Sequence, residues 1–594
     1  MPGEGATQRS GKPGEDVAAL LEAALRSLRS GRVESALELF QTAIARDAGS
    51  APARNGLGVA LCLASRPQEA LAQFAHAIAL QADFAHAHAN RGNALRALGR
   101  HREAVDSYQR ALDIGPELPA ICHFQGLSFL QMGLPAQALH CFDRSIARDP
   151  NFADAYLHRG ACCIDLGRFE QALESLDRAV ALDPANAIVF NDRGVALMGC
   201  RRPAEALASF ERAVQLRAGY ATAHAGRATA LSQLERLAEA IAAYELAASL
   251  APERAQTHSD LAAALIKANR LDAALQSCER ALACQPDLAD AYWNRSQVRL
   301  LQGSMAAGWA DFEHRLRMSG SAGSRHAAVP RWTGESPLAG RRILLWSEQG
   351  IGDTLQFCRY VPVVRSLGGE VVLQVQAAVK PVLAGLEAVA AIFADDEPVG
   401  PCDLQCPLMS LPLAIRAWRA DIPADVPYLS ADARKSAAWR ARLGSGRKIG
   451  LVCSGNPAHR NDANRSIALS LFAPLFGDAR FLLLQKEVRA ADESWIAKFA
   501  IEDLRADLLD LGDTAAVIDN LDLVICVDTA VAHLAGALGK PLWLLLPWVP
   551  DWRWQLGRDD SPWYPTARLF RQPRANDWAS VMEQVRAALA QWPR

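Results

Sequence analysis

Small, apolar and bulky positions recur with a period of 34 residues from about Val17 to about Met318, and the recurrence then stops. Units begin at Val17, Ala51, Ala85, Pro119, Ala153, Ala187, Ala221, Ala255 and Ala289, with no insertion or deletion between them. The eighth position is small throughout (Ala24, Gly58, Gly92, Gly126, Gly160, Gly194, Ala228, Ala262, Ser296), and the twenty-fourth is bulky in most units, from Phe40 to Phe312. A fixed period of this length predicts stacked helical hairpins, because a single hairpin cannot bury its apolar face alone. The small residue lets the two helices of a hairpin approach, and the bulky one fills the gap to the next hairpin. Pro116, Pro150, Pro184, Pro252 and Pro286 mark where a unit's second helix must end.

From Arg341 the pattern changes to short apolar runs followed by Gly-bearing turns. It predicts strands at Ile343–Trp346, Val371–Val375, Ile449–Cys453, Phe481–Leu484, Leu523–Val527 and Leu542–Leu546, with helices between several of them. Such alternation implies parallel sheets with crossover helices. A loosely patterned stretch around Tyr428–Gly446 divides the strands into two groups. The expected architecture is an all-α superhelix followed by an α/β part of two doubly wound lobes with a cleft between them. Its expected divisions are a disordered leader over 1–16, nine repeats over 17–320, a linker over 321–340, a first lobe over 341–445 and a second over 446–594.

On the positions just given, the repeat resembles a tetratricopeptide (TPR) array. That resemblance implies a concave groove lined by the first helix of each hairpin, which takes a protein partner. The sixth position, expected to face the groove, holds Asn90, His158, Asp192, Asp260 and Asn294, but also Gly56, Phe124 and Gly226. It resembles only fragments of the asparagine ladder by which TPR-bearing O-GlcNAc transferases bind peptide backbone, so the resemblance implies such binding only as an expectation. The seventh position is often arginine (Arg91, Arg159, Arg193, Arg227, Arg295), suited either to acidic partner side chains or to salt bridges between repeats.

Composition narrows the class. The chain has 594 residues, 50% hydrophobic, with formal net charge −2, which argues against nucleic acid or an anionic membrane as the main partner. The polar, Gly-rich first residues lack the apolar core of a signal peptide, and no run approaches the roughly 18 apolar residues of a membrane span. Thirteen scattered cysteines without a pair of C-x-x-C motifs predict reduced thiols, no bound metal and a cytoplasmic location.

In open parallel sheets ligands sit beyond the carboxyl ends of the strands. Four such ends are polar here. The first reads Ser347-Glu348-Gln349-Gly350-Ile351-Gly352-Asp353-Thr354, where glycines let backbone approach a ligand and Asp353 suits either a cap or a catalytic carboxylate. The second is Ser454-Gly455-Asn456-Pro457, followed by His459-Arg460 and Arg465, a set suited to diphosphate. The third is Gln485-Lys486. The fourth is Asp528-Thr529-Ala530 with His533, expected to open a helix whose N-terminus faces the cleft and favours phosphate. The segment Trp548–Tyr564 is rich in aromatic residues, suited to stacking on a sugar or base or to packing between the lobes.

Gly352-Asp353, Asp528-Thr529-Ala530, His533-Leu534-Ala535 and Gly539-Lys540-Pro541 together resemble family 9 glycosyltransferases, the group of the lipopolysaccharide heptosyltransferases. With the repeats, the chain is broadly similar in plan to O-GlcNAc transferases. The resemblance implies a GT-B fold, a nucleotide-sugar donor in the second lobe, and inverting transfer without metal or other cofactor. It makes Asp353 the general base and gives donor sugar and phosphate binding to Asp528, Thr529 and Ala530, while the polar strand ends add Gly350, Gly352, Ser454, Gly455, Asn456, Gln485, Lys486 and His533 as candidate donor contacts. Arg465, or else Arg460, would neutralise the leaving diphosphate. The first lobe is short for that family, so neither heptose as donor nor lipid A core as acceptor carries over. The expected activity is transfer to a protein recruited by the groove. The alternatives are a scaffold with a degenerate GT-B half, or a transferase acting on glycolipid or polysaccharide. The modified last unit, with Gly308, Trp309 and Phe312, is expected to pack against the first lobe.

Overall fold

A computed structural model describes residues 13–115, 119–318, 320, 323, 325–416, 422–459, 461–477 and 479–592. Residues 1–12 of the expected leader and Arg460 lie outside the described residues. A helix already begins at Pro13, so the last part of the expected leader is helical. The chain divides into two compact units, Met1–Ala251 and Pro252–Arg594.

The first unit consists of seven helical hairpins. Their first helices are Pro13–Arg29, Ala51–Leu63, Ala85–Ala97, Pro119–Gln131, Ala153–Asp165, Ala187–Gly199 and Ala221–Gln233. The second helices are Val33–Arg46, Pro67–Leu80, His101–Ile114, Pro135–Arg148, Phe169–Leu182, Pro203–Leu216 and Leu237–Leu250. The eighth position is small for a local reason. A Cβ on Gly92 would lie 2.6 Å from the Tyr108 ring, and one on Gly194 would lie 2.6 Å from Phe210, each the twenty-fourth position of the same hairpin. Phe210 also fills the space beside Gly226 of the next hairpin, so one ring closes its own hairpin and the following joint. The turn inside each hairpin places one residue in the left-handed region. That residue is Gly31, Gly99, Gly133 or Gly167 in four hairpins, and Ser65, Arg201 or Glu235 in three.

The second unit holds the last two hairpins, Ala255–Lys267 with Leu271–Cys284 and Ala289–Leu301 with Met305–Phe312, then two parallel sheets. The first sheet has strands β1 (Arg342–Trp346), β2 (Glu370–Val375), β3 (Ala391–Ala394) and β4 (Leu404–Pro407) in the order β3-β2-β1-β4. The second has β5 (Lys448–Val452), β6 (Arg480–Leu483), β7 (Glu502–Asp503), β8 (Leu523–Val527), β9 (Leu542–Leu546) and β10 (Ala567–Arg571) in the order β10-β9-β8-β5-β6-β7. Every pairing is parallel, and β8 and β9 are buried at all positions, as a strand covered on both faces must be.

All six expected strands form, with ends within a residue of the prediction. Four others, β3, β4, β7 and β10, were not expected, because they are short or interrupted by Gln405, acidic residues or Arg568. The stretch read as loosely patterned, Tyr428–Gly446, contains a helix, Ala433–Leu443. Asp432 caps it by accepting from the Arg434 and Lys435 amides, and Lys435 pairs with Asp510 and Asp513 of the second lobe. The expected linker follows β4: Trp332 donates its amide to the Gln405 carbonyl at 2.8 Å, and Gln405 donates to Pro330 at 2.9 Å, which covers an exposed sheet edge.

The last hairpin packs on both lobes, not on the first alone. Trp309 meets Phe357 of the first lobe edge-on at 5.9 Å and Trp552 of the second at 5.2 Å. Arg315, in the 3-10 turn Glu313–Arg317, donates to Glu348 at 2.6 Å and to Ser410 at 2.9 Å. Both the arginine and Glu348 are buried, so the acid of the first strand end serves the hairpin contact. Among the described residues no helix is long and apolar enough to cross a membrane.

Candidate active site between the two lobes

The turn after β1 leads into the helix Ile351–Phe357, and β8 leads through Asp528 and Thr529 into the helix Ala530–Ala537. These helices pack against each other across the lobe boundary. Gly352 makes this possible, since a Cβ there would lie 2.8 Å from His533 Cδ2 and 3.6 Å from the Ala530 Cα. The starts of both helices therefore meet at one place on the lobe boundary.

Arg553 from the second lobe occupies that place. Its side chain is 8% exposed and donates to Asp353 through Nη2, to Asp551 through Nη1 at 2.8 Å and to Gln356 through Nε at 2.6 Å. Its guanidinium lies 4.4 Å from the Trp552 ring centroid. Asp353 uses its other oxygen to accept the Gly350 amide at 2.8 Å, so it is a cap and an interlobe partner at once. Burial raises the Asp353 carboxyl above the ordinary range, with Arg553 opposing and Asp551 adding to it. Burial also pushes Asp528 up to about 6, reinforced by Asp551 and opposed by the Trp554 indole, Arg553 and Arg465. The cluster thus gathers carboxylates from both lobes around one cation.

The loop after β5 forms the adjoining wall. Arg465 donates to the Asp528 carbonyl at 2.8 Å and approaches Asp462 at 3.4 Å. Gly455 leaves room for it, because a Cβ would lie 2.5 Å from Arg465 Nη2. The Gly455 amide donates to Ser466 at 3.1 Å, and Ser466 donates to Asp462 at 2.9 Å. Asn456 accepts the Ala458 amide at 2.9 Å and shapes the turn. Burial and Arg465 lower His459, while Asp462, Asp551 and Asp353 favour its charged form.

The candidate residues divide into two groups. Asp353, Gly350, Gly352, Asp528, Thr529, Ala530, His533 and Arg465 converge on the lobe boundary. Thr529 is the N-cap residue without a capping side-chain bond, and its hydroxyl lies 3.3 Å from Cys526 Sγ. His533 is buried, shares a 2.9 Å hydrogen bond with Tyr564 and stacks on Trp554, with burial holding it well below the usual histidine range. Gln485 works behind the site: its oxygen accepts the Cys453 and Ser454 amides, and its amide donates to Ser454 Oγ at 2.9 Å. Lys486 points to the Leu509 carbonyl at 3.2 Å. The sequence did not single out Arg553 or Asp551, although a cation set between Trp552 and Trp554 in the order Trp-Arg-Trp was its one visible sign.

In the repeats, the seventh-position arginines Arg159, Arg193, Arg227 and Arg295 pair within the array. Arg159 donates to Asp143 at 2.7 Å and to Ser175 at 2.5 Å, and Arg193 repeats the pattern with Asp177 and Ser209. Arg295 pairs with Asp311 of its own hairpin. Two sixth-position asparagines are likewise engaged, Asn90 with Asn55 at 3.0 Å and Asn294 with the Ser259 carbonyl at 3.0 Å. Of the two readings open for the arginines, contacts between helices of the array are what forms at these four.

Tetratricopeptide repeat descriptions match residues 21–82, 125–187 and 191–255, and a second such description matches 85–118. The chain carries tetratricopeptide repeats. The description of glycosyltransferase family 9 (heptosyltransferase) matches residues 490–545, which contain β7, β8 and the helix Ala530–Ala537 but not Asp353. The C-terminal region is glycosyltransferase-like on that match. Protein FlbA of Caulobacter vibrioides is 26% identical over 334 residues, covering 51% of this chain and 55% of FlbA. The chain thus spans about half the length of that curated relative. Among solved structures, YrrB, a TPR protein with an unusual peptide-binding site, is 23% identical with a TM-score of 0.30, covering 31% of this chain and 95% of its own. PilF of Pseudomonas aeruginosa is 22% identical with a TM-score of 0.33, covering 36% and 96%.

Proposed function

We propose that the chain transfers a sugar from a nucleotide-sugar donor to an acceptor by inverting, metal-independent chemistry, the acceptor being a protein recruited by the repeats. The observation that carries this reading is the meeting of Asp353 and Asp528, from opposite lobes, around Arg553. In it, Asp353 takes the proton from the acceptor hydroxyl as that oxygen attacks the anomeric carbon. Asp528, Thr529 and Ala530 hold the donor's sugar and phosphate at the start of a helix. Arg465 stands beside them to stabilise the departing diphosphate, a charge that must be met as it develops. All thirteen cysteines are free thiols, in keeping with the cytoplasmic location this reading takes.

The test is a binding and hydrolysis panel of UDP-, GDP-, ADP- and dTDP-sugars. Binding of one donor, with transfer lost and donor affinity kept in Asp353→Asn, supports the reading. No binding at millimolar concentration ends it. A scaffold reading draws support from the same contacts, since both Asp353 oxygens are engaged in ways an interlobe strut would also use. On that reading Asp353→Asn weakens the fold and has no turnover to remove.

A further inference from the structure

We propose that Arg553 is a positioning residue for Asp353, reaching across from the second lobe to aim the base; the inference rests on the transferase reading of this site. An ion pair alone needs one contact, but Arg553 grips the helix Ile351–Phe357 at two points, Asp353 and Gln356. These residues stand three apart, on one face of that helix. A fork held at both points fixes the rotation of the helix about its own axis, and with it the direction of the Asp353 carboxylate. Only a planar guanidinium has donors spaced for this.

The arginine itself has no freedom to turn away. Asp551 accepts both its Nη1 and its backbone amide, the latter at 3.1 Å. Its carbonyl accepts the Trp563 indole N–H at 3.0 Å, and its guanidinium lies over Trp552. A cation bound on three sides in this way is a poor candidate for following a diphosphate, and a good one for orienting a neighbour. The groups that face Asp353 are Arg553 and Asp551 from the second lobe, His459 from the loop after β5, and Glu348 from its own strand end. Asp528 and Arg465 complete the charges around the arginine. Arg553 is the cation hydrogen-bonded to Asp353.

The experiment is the pH profile of kcat and of donor KM for the full chain, wild type against Arg553→Gln and Arg553→Lys, with whichever donor the panel selects. Loss of the cation leaves burial opposed only by the Gly350 amide and His459, so Arg553→Gln is expected to move the acid limb of kcat up by about one to three pH units with donor KM unchanged. Arg553→Lys, which keeps the charge but not the fork, is expected to keep the limb near its wild-type position with kcat reduced at least tenfold. An unmoved limb in Arg553→Gln overturns the proposal, as does a raised donor KM with unchanged kcat. Should Arg553→Gln not fold, Arg553→Lys decides: wild-type kcat overturns, and reduced kcat on an unmoved limb supports. A wild-type protein inactive with every donor overturns the transferase reading itself, and is distinguished because failure of the Arg553 role alone leaves the wild type active.

Discussion

Trp309, from the last helical hairpin, stands edge-on to Trp552 of the second lobe, with ring centroids 5.2 Å apart and planes at 84°. On its other side it meets Phe357, which ends the helix that carries Asp353. The hairpin is therefore part of the core of the α/β half and not an appendage to it.

Trp309→Ala should cost the second unit about 3–5 kcal/mol, the usual loss for truncating a buried tryptophan. Urea unfolding followed by tryptophan fluorescence reads this directly. A fragment beginning at Arg341 should fail to fold for the same reason, while one beginning at Pro252 should fold. A stable, monomeric fragment from Arg341 would show that the hairpin contributes little.

Gly352→Ala forces a methyl group toward His533. Overpacking of this kind costs about 1–3 kcal/mol. The loss should shrink in a His533→Ala background, because the clashing ring is then gone. A double-mutant cycle on thermal midpoints checks it, and strict additivity would mean that the two helices do not meet there.

Burial raises the pKa of Asp528 from 3.8 to about 6, so its neutral form persists to higher pH than in the unfolded chain. For an acid with a raised folded pKa, the stabilising contribution is complete below the unfolded value and is lost as pH rises through the folded one. Stability tied to Asp528 should therefore fall between about pH 4 and 6. Asp528→Asn removes that loss and should be more stable than wild type at pH 7.5, by up to about 3 kcal/mol, with the gap closing at pH 4. A stability difference that does not change between those pH values would contradict the raised value.

The hairpin turns offer a purely backbone comparison. Arg201 holds φ at +59°, where Gly167 holds +70° in the preceding repeat. A left-handed residue other than glycine costs about 1–2 kcal/mol. Arg201→Gly should thus be neutral or stabilising by up to about 1 kcal/mol after the glycine's chain-entropy cost. Gly167→Ala should lose a similar amount although nothing lies within 4 Å of the added methyl group. Opposite signs in chemical denaturation would place the effect in some contact of the arginine.

The repeats were legible because each structural need recurs: Gly58, Gly92 and Gly126 each face an aromatic ring of their own hairpin in three successive repeats, so periodicity repeats the signal. The strands β5, β8 and β9 were legible as uninterrupted apolar runs. β10 was not, because Arg568 and Arg571 break its pattern, and β7 is too short to carry one. At the site, Asp353 and Asp528 follow strands and stand out by position. Arg553 lies in a short 3-10 turn, Trp552–Trp554, 200 residues from its partner Asp353, and only the packing of the two lobes brings them together. Gln485 read as a ligand contact because it follows β6, but a side chain at a strand end can turn inward, and this one secures the end of β5.

The pairing of three successive seventh-position arginines, Arg159, Arg193 and Arg227, with an acid sixteen residues earlier has a consequence for how such a chain changes length. If Ala187–Tyr220 were excised, Arg227 would follow Asp177 at the spacing it now keeps from Glu211, from which it lies 3.8 Å away. The new junction would join an arginine to an acid as the old one did, and the glycine at 226 would receive Leu176 in place of Phe210. Recombination between units is thus nearly silent at the level of the joint. Array length can then drift by whole units under selection for reach alone, while the last hairpin, sealed by Trp309 and Arg315, stays fixed in number and place.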